Sequence, residues 1–162
     1  MKTMIRMLMI AALAMSFAAC KKQEAPAVAG KPAVQVPVND NRQAWVDYIS
    51  DVVQRNMGNV QNSPYVYLLP GESTADFQDQ YDRLASKAKD DLSRGIIAGN
   101  MLAYGSPASA KMADLVIAAF KDVPAGSMKG VKVLFIGKAE DNERVKAAVT
   151  PAGVDYVFVE AK

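Results

Sequence analysis

The chain downstream of Asn39 shows apolar residues at helical spacing in some segments and short continuous apolar runs in others. The first helical segment begins within residues 39–41, where Asn and Asp are good helix caps, and Gly58 is suited to ending it. Its apolar stripe includes Trp45, Tyr48 and Ile49. We interpret this stripe as a core face, and a ligand platform built on Trp45 is the alternative.

Three further helices are predicted downstream. Ser73, with Asp76 three residues later, forms a capping-box-like start to a long helix that ends at Gly95. Ser106-Pro107 is typical of a helix entry, and the segment MADLVIAAF that follows is apolar nearly all round, which predicts the most buried helix. Residues 139–149, AEDNERVKAAV, predict the last helix.

Four apolar runs between these helices predict strands: PYVYLLPG (64–71), IIAGNMLAYG (96–105), GVKVLFIGK (130–138) and VDYVFVE (154–160). The last two are nearly continuous in apolar residues, which favours burial on both faces, as in parallel sheets covered by helices. The predicted fold class is therefore α/β, a three-layer sandwich with a mostly parallel sheet of about four strands behind an N-terminal helix.

The segment before this domain, residues 20–39, reads CKKQEAPAVAGKPAVQVPVN. It contains three prolines and shows neither helical nor strand periodicity, so it predicts a flexible linker. The leader, residues 1–19, has Lys2 and Arg6 ahead of an apolar run that is shorter than the roughly 20 residues of a transmembrane helix. The predicted organisation is a signal peptide (1–19), a linker (20–39) and one domain (40–162).

Cys20, the only cysteine in the chain, follows this leader directly. Phe17-Ala18-Ala19-Cys20 resembles the lipobox of bacterial lipoproteins, with Phe17 where the family usually has Leu. The resemblance implies that Cys20 receives diacylglycerol on its sulfur, becomes the first residue after cleavage and is then acylated on its amine. A secreted protein with an unmodified cysteine is the alternative.

The acyl chains would anchor the protein in a membrane, because each buried methylene contributes about 0.8 kcal/mol. In the lipoprotein family, Asp just after the cysteine tends to retain the protein at the inner membrane, and Lys21 occupies that position here. The resemblance therefore implies the periplasmic face of the outer membrane if the source is Gram-negative.

Charge and composition exclude several classes of function. Removing Lys2 and Arg6 with the leader reduces the 19 basic residues to 17, which equals the 17 acidic ones. This balance lacks a basic footprint, so we expect no nucleic-acid partner. The chain has no histidine, which excludes Ser-His-Asp and Cys-His catalysis and disfavours zinc sites. With no nucleotide-binding or EF-hand motif either, we expect no cofactor and no metal.

Candidate binding residues lie where the predicted strands end, because ligands of parallel sheets bind beyond the carboxyl ends of the strands. Each loop there combines a glycine, which permits close approach, with a helix N-terminus that favours anions. The candidate residues are Gly71, Glu72, Ser73, Thr74, Gly105, Ser106, Gly137 and Lys138. The alternative is that the glycines serve turn geometry and the hydroxyls serve as helix caps.

These observations leave three hypotheses for function. The leading one is a non-catalytic, lipid-anchored envelope protein that presents its domain to a protein or cell-wall partner. The second is a small-molecule binding module for anions or phosphates that uses the three loops. The third is a hydrolase or transferase that depends on carboxylates, with Glu72 and Glu140 as a possible acid–base pair.

Overall fold

The computed structural model of the chain describes residues 31–162. The predicted leader, Cys20 and the first part of the linker, residues 20–30, lie outside the described residues. Helices and strands alternate within the described part: α1 (Arg42–Asn56), β1 (Tyr65–Leu68), α2 (Phe77–Ser93), β2 (Met101–Gly105), α3 (Ser109–Phe120), β3 (Lys132–Gly137), α4 (Ala139–Val149) and β4 (Asp155–Glu160).

The four strands form one sheet in the order β1-β2-β3-β4, and every neighbouring pair is parallel. Helices α2, α3 and α4 pack on one face of this sheet, and α1 packs on the other. The predicted α/β class and three-layer arrangement are therefore confirmed, and the sheet is parallel throughout.

The continuous apolar runs of the inner strands are explained by burial on both faces. In β2, Leu102 and Tyr104 face the layer of three helices, whereas Met101 and Ala103 face α1. All four side chains are fully buried. Because neighbouring residues of a strand point to opposite faces, a strand covered on both sides is apolar at nearly every position.

Helix α1 begins and ends near the predicted positions. The side chain of Asn41 accepts a hydrogen bond from the Ala44 N–H at 3.0 Å, so Asn41 is the cap. Gly58 follows the helix with a φ of +51°. Trp45 and Tyr48 pack edge to face in the cluster between α1 and the sheet, as the interpretation as a core face predicts.

Two predicted helix starts were wrong by a few residues. Helix α2 begins at Phe77, and Ser73 donates to a carboxylate oxygen of Asp40 instead of capping the helix. Helix α3 begins at Ser109, because the Ser106 hydroxyl accepts from the Ala108 N–H at 2.8 Å and forms a separate turn before the helix. Local side chain to backbone bonds of this kind compete with helix extension.

Residues 31–39, which we call the strap, lie against the domain. Val34 and Val36 pack on the cluster formed by α1 and the sheet. The Trp45 indole N–H donates to the Asn39 carbonyl at 2.9 Å. The proline content of these residues predicts a flexible linker, but Val34 and Val36 give the strap an apolar side that packs on the domain, whereas Val38 is exposed.

Candidate functional site

The three predicted loops follow β1, β2 and β3 and therefore lie at the same end of the parallel sheet. Strand order is sequential, and the connecting helices α2, α3 and α4 all pack on one face. In open α/β sheets the binding crevice forms where strand order reverses. No such reversal occurs in this four-stranded sheet, so its strand order does not by itself mark a binding crevice.

At the first loop, a side chain of the protein itself occupies the approach to Gly71. A Cβ atom added to Gly71 would overlap the carboxylate of Asp40. The Ser73 hydroxyl donates to the same carboxylate at 2.7 Å. Glu72 and Ser73 are exposed. An anion does sit against this glycine, as predicted for a ligand, but the anion is Asp40.

The second loop is packed against α1. A Cβ atom on Gly105 would lie 2.7 Å from Cδ1 of Ile49, so the glycine allows α1 to approach the sheet. Ser106 is buried, and its hydroxyl accepts from the Ala108 N–H. Both residues therefore have structural partners.

The third loop is organised by a buried serine that the sequence analysis did not single out. Ser109 accepts from the Lys138 N–H at 2.8 Å and donates to the Asp141 carboxylate at 2.6 Å. A Cβ atom on Gly137 would lie 2.6 Å from the Ser109 Oγ, which explains the glycine. The Lys138 residue itself is exposed. Ser109 thereby joins the starts of α3 and α4.

A small cavity of about 220 Å³ lies at this end of the sheet. The second and third loops line it through Ser106, Gly137 and Lys138, whereas no residue of 71–74 does. The strap covers it from the other side, with Val36 and Asn39 among its lining residues. The structure thus brings two of the three loops together around the cavity and links the first only through Asp40.

Arg144 extends the Ser109–Asp141 contact into a wider network. Its guanidinium donates to Asp141 at 2.8 Å, to Asp114 at 2.5 Å and to the Ala110 carbonyl at 2.8 Å. Asp141 is buried, so its charge requires these partners. The network fixes α4 on α3, and every polar group in it has a partner within the protein.

A second region of interest lies along β4, which forms one edge of the sheet. Asp155 and Ala161 donate their N–H groups to Val131 and Gly137 on the β3 side, at 2.8 and 2.9 Å. Because the hydrogen-bonding direction alternates along a parallel strand, Tyr156, Phe158 and Glu160 direct their N–H and C=O groups away from the sheet. Within residues 31–162, none of these outward backbone groups is hydrogen-bonded.

A groove of about 520 Å³ runs along this edge. Residues 33–36 of the strap form its wall on the α1 side, and Asn142 and Lys146 of α4 lie on the other side. Residues 156–160 of β4 line it between the two walls. The sequence could not indicate this groove, because strand order decides which strand lies at an edge.

The strap wall is fixed by a buried ion pair on α1. The Arg55 guanidinium contacts the Asp51 carboxylate at 2.6 Å, and both side chains are 4 % exposed. Arg55 also donates to the carbonyls of Lys31 and Pro32, while the Val34 N–H donates to Asp51. The hydrogen bond from Arg55 lowers the pKa of Asp51 below its usual value, against the opposing effect of burial.

A buried pair of tyrosines lies under α2. Tyr67 and Tyr104 stack at 4.6 Å between ring centroids, and the Tyr67 hydroxyl donates to Asp91 at 2.9 Å. The Tyr104 hydroxyl is the only buried side-chain polar atom in residues 31–162 without a hydrogen-bond partner. Burial raises the pKa of Tyr104. Both rings belong to the core, and neither lines the groove along β4.

Neither a metal centre nor a membrane span is built from the described residues. Across 31–162, no three acidic, histidine or cysteine side chains are grouped so as to hold an ion. Over the same stretch, no helix combines the length and apolar character needed to cross a bilayer.

Comparison of the chain with protein-family models, with curated proteins and with solved structures gave no match.

Proposed function

We propose that this protein is a lipid-anchored envelope protein, placed at the periplasmic face of the outer membrane, whose α/β domain acts by contacting a protein or cell-wall partner. The observation that favours a contact surface over a ligand site is that side chains of the protein itself fill the space beside the strand-end glycines. The close approaches permitted by Gly71, Gly105 and Gly137 are taken up by Asp40, Ile49 and Ser109. These loops are therefore better explained as packing than as a ligand site.

The contacts of the strap indicate that only a short segment would connect the domain to a lipid on Cys20. Arg55 donates to the carbonyls of Lys31 and Pro32, so the strap is held against the domain from its first residues. Eleven residue steps separate Cys20 from Lys31. At no more than about 3.6 Å for each residue, the strap lies within about 40 Å of Cys20. A lipid on Cys20 would keep the domain close to the membrane surface, where its partner would be met.

Membrane fractionation in a Gram-negative host tests the anchor. We expect the wild-type protein in the outer membrane fraction, with an intact mass that includes diacylglycerol and an amide-linked acyl chain. Cys20→Ser should lose the lipid mass and the processing that depends on it. An unmodified Cys20 in the wild-type protein would refute the anchor.

A matched variant separates anchoring from sorting. Lys21→Asp keeps Cys20 and introduces the residue that tends to retain lipoproteins at the inner membrane. We expect this variant to carry the same lipid mass and to move to the inner membrane fraction. If it stays with the outer membrane, the proposed sorting role of position 21 is wrong, although lipidation of Cys20 still stands.

A further inference from the structure

The two edges of the sheet differ in how well they are protected from pairing with another strand. β1 has four residues and lies between Pro64 and Pro70, and proline lacks the N–H needed to extend a strand. β4 has six residues, and no proline occurs from Ala152 to Lys162. Long edge strands without such protection are templates for pairing.

The side chains of β4 are also less covered than those of its neighbour. Phe135 and Ile136 of β3 are fully buried, whereas Phe158 and Val159, their partners in register, are only partly buried. Phe158 packs toward the layer of three helices and Val159 toward α1. A further strand beside β4 would therefore bury apolar surface on both faces.

We propose that the partner at this edge is a second copy of the chain, with the two β4 strands paired antiparallel across a two-fold axis to form a continuous eight-stranded sheet. This inference does not depend on the lipid anchor. A two-fold axis makes the same surface serve on both copies. A two-fold axis perpendicular to the sheet reverses the direction of the strand, so the two β4 strands run antiparallel.

The backbone sets the register of this pairing. Tyr156, Phe158 and Glu160 carry the outward groups, and hydrogen-bonded pairs in an antiparallel ladder join outward residues directly opposite each other. One register pairs all three of them. It places Phe158 opposite Phe158 of the second copy and Tyr156 opposite Glu160 of the second copy. Each pair exchanges two backbone hydrogen bonds.

The side chains are complementary in that same register. Val157 lies opposite Val159 of the second copy, and Asp155 lies opposite Ala161 of the second copy. Neither acidic residue of β4 faces another acidic residue, and the apolar side chains face each other. Aromatic and β-branched cross-strand pairs stabilise a sheet, whereas like charges placed opposite destabilise it. These pairs favour a second copy over an unrelated segment as the occupant of the groove.

Charge at position 156 tests both the interface and the register. Tyr156→Glu places a glutamate opposite Glu160 of the second copy, whereas Tyr156→Lys places a lysine there. Both variants lose the contact between the Tyr156 hydroxyl and Asn142, so they are matched apart from charge. Two such cross-strand pairs form in each dimer, so we expect the Glu variant to have a dissociation constant at least about fivefold higher than that of the Lys variant.

The measurement is sedimentation velocity over a range of concentrations, with the full chain carrying Cys20→Ser so that neither lipid nor a disulfide joins two copies. Tyr156→Glu combined with Glu160→Lys should restore association. All variants share residues 1–30, so any association through that segment is common to them. If the parent chain stays monomeric at every concentration, or if all variants associate equally, the proposed pairing is refuted.

Discussion

The carboxyl end of the sheet and the β4 edge differ in what occupies them. At the carboxyl end, the glycines and hydroxyls resemble a binding site in sequence, yet Asp40, Ile49 and Ser109 fill the positions that a ligand would take. At the β4 edge, the sequence offers only apolar residues, yet the structure leaves a row of backbone groups without partners among residues 31–162. A glycine in such a loop indicates that another group packs closely against the backbone. The fold determines whether that group is a ligand or a side chain of the protein itself.

Proline substitutions at neighbouring positions of β4 should separate its inner side from its outer side. Val159→Pro removes an N–H directed at β3, and we expect it to lower the free energy of unfolding by about 3 kcal/mol or more. Glu160→Pro removes an outward N–H, and we expect a loss of about 1 kcal/mol or less. Chemical denaturation measures both. Equal losses would show that the outer side is paired as strongly as the inner side.

The ion pair behind the groove should contribute strongly to stability. Asp51→Ala leaves the Arg55 charge buried without its partner, so we expect the free energy of unfolding to fall by about 3 kcal/mol. Thermal unfolding at neutral pH measures this loss. A loss below about 0.5 kcal/mol would mean that the strap is not held by this pair.

The lowered pKa of Asp51 also predicts how the stability of the domain depends on pH. Its pKa is lowered in the folded protein, so its contribution to stability is complete above its usual pKa of 3.8. That contribution is lost as the pH falls below 3.8 and passes through the lowered value. The difference in stability between the wild type and Asp51→Ala should therefore shrink in acid. A difference independent of pH would contradict the assignment.

Alanine substitutions at the strand-end glycines should lower the free energy of unfolding by amounts that depend on how tightly each glycine is packed. Gly137→Ala forces its new Cβ against the buried Ser109 and Phe135 side chains, and we expect a loss of about 2 kcal/mol. At Gly71, the atoms nearest to the new Cβ belong to the exposed Asp40 side chain, which can move, so we expect Gly71→Ala to cause a loss below about 1 kcal/mol. Both are measured by denaturant unfolding. A larger loss at Gly71 would contradict this account of the glycines.

The smallest expected effect concerns the first loop and phosphate. NMR titration of the wild type with inorganic phosphate should leave the amide signals of residues 71–74 unchanged, because the Asp40 carboxylate occupies the approach to Gly71 and already accepts from Ser73. Asp40→Ala should show weak shifts at those amides, since the variant lacks the carboxylate that occupies the approach to Gly71 and repels an anion there. Saturable shifts in the wild type would restore the ligand-binding hypothesis.

Several features of the fold were predictable because they depend on local pattern. The bounds of α4, residues 139–149, agree at both ends, and the continuous apolar run of β3 predicted its burial on both faces. β2 begins at Met101 instead of residue 96, because Gly99, with a φ of +83°, turns the chain before the strand. Periodicity alone did not locate that turn.

The candidate site was harder to predict because it depends on contacts between distant segments. Ser109 and Asp141 are 32 residues apart and meet only after α3 and α4 have packed. Gly71 and Asp40 are brought together by the position of α1 on the sheet. The outward groups of β4 follow from strand order, which a single sequence does not contain.

Site-resolved amide exchange along β4 tests most directly that this edge is open and pairs with a second copy. At low concentration, the full chain with Cys20→Ser should exchange rapidly at Tyr156, Phe158 and Glu160, whereas Asp155, Val157 and Val159 should be protected by β3. At high concentration, all six amides should be protected. Protection of the outward three amides at every concentration, or their rapid exchange at every concentration, would contradict the account.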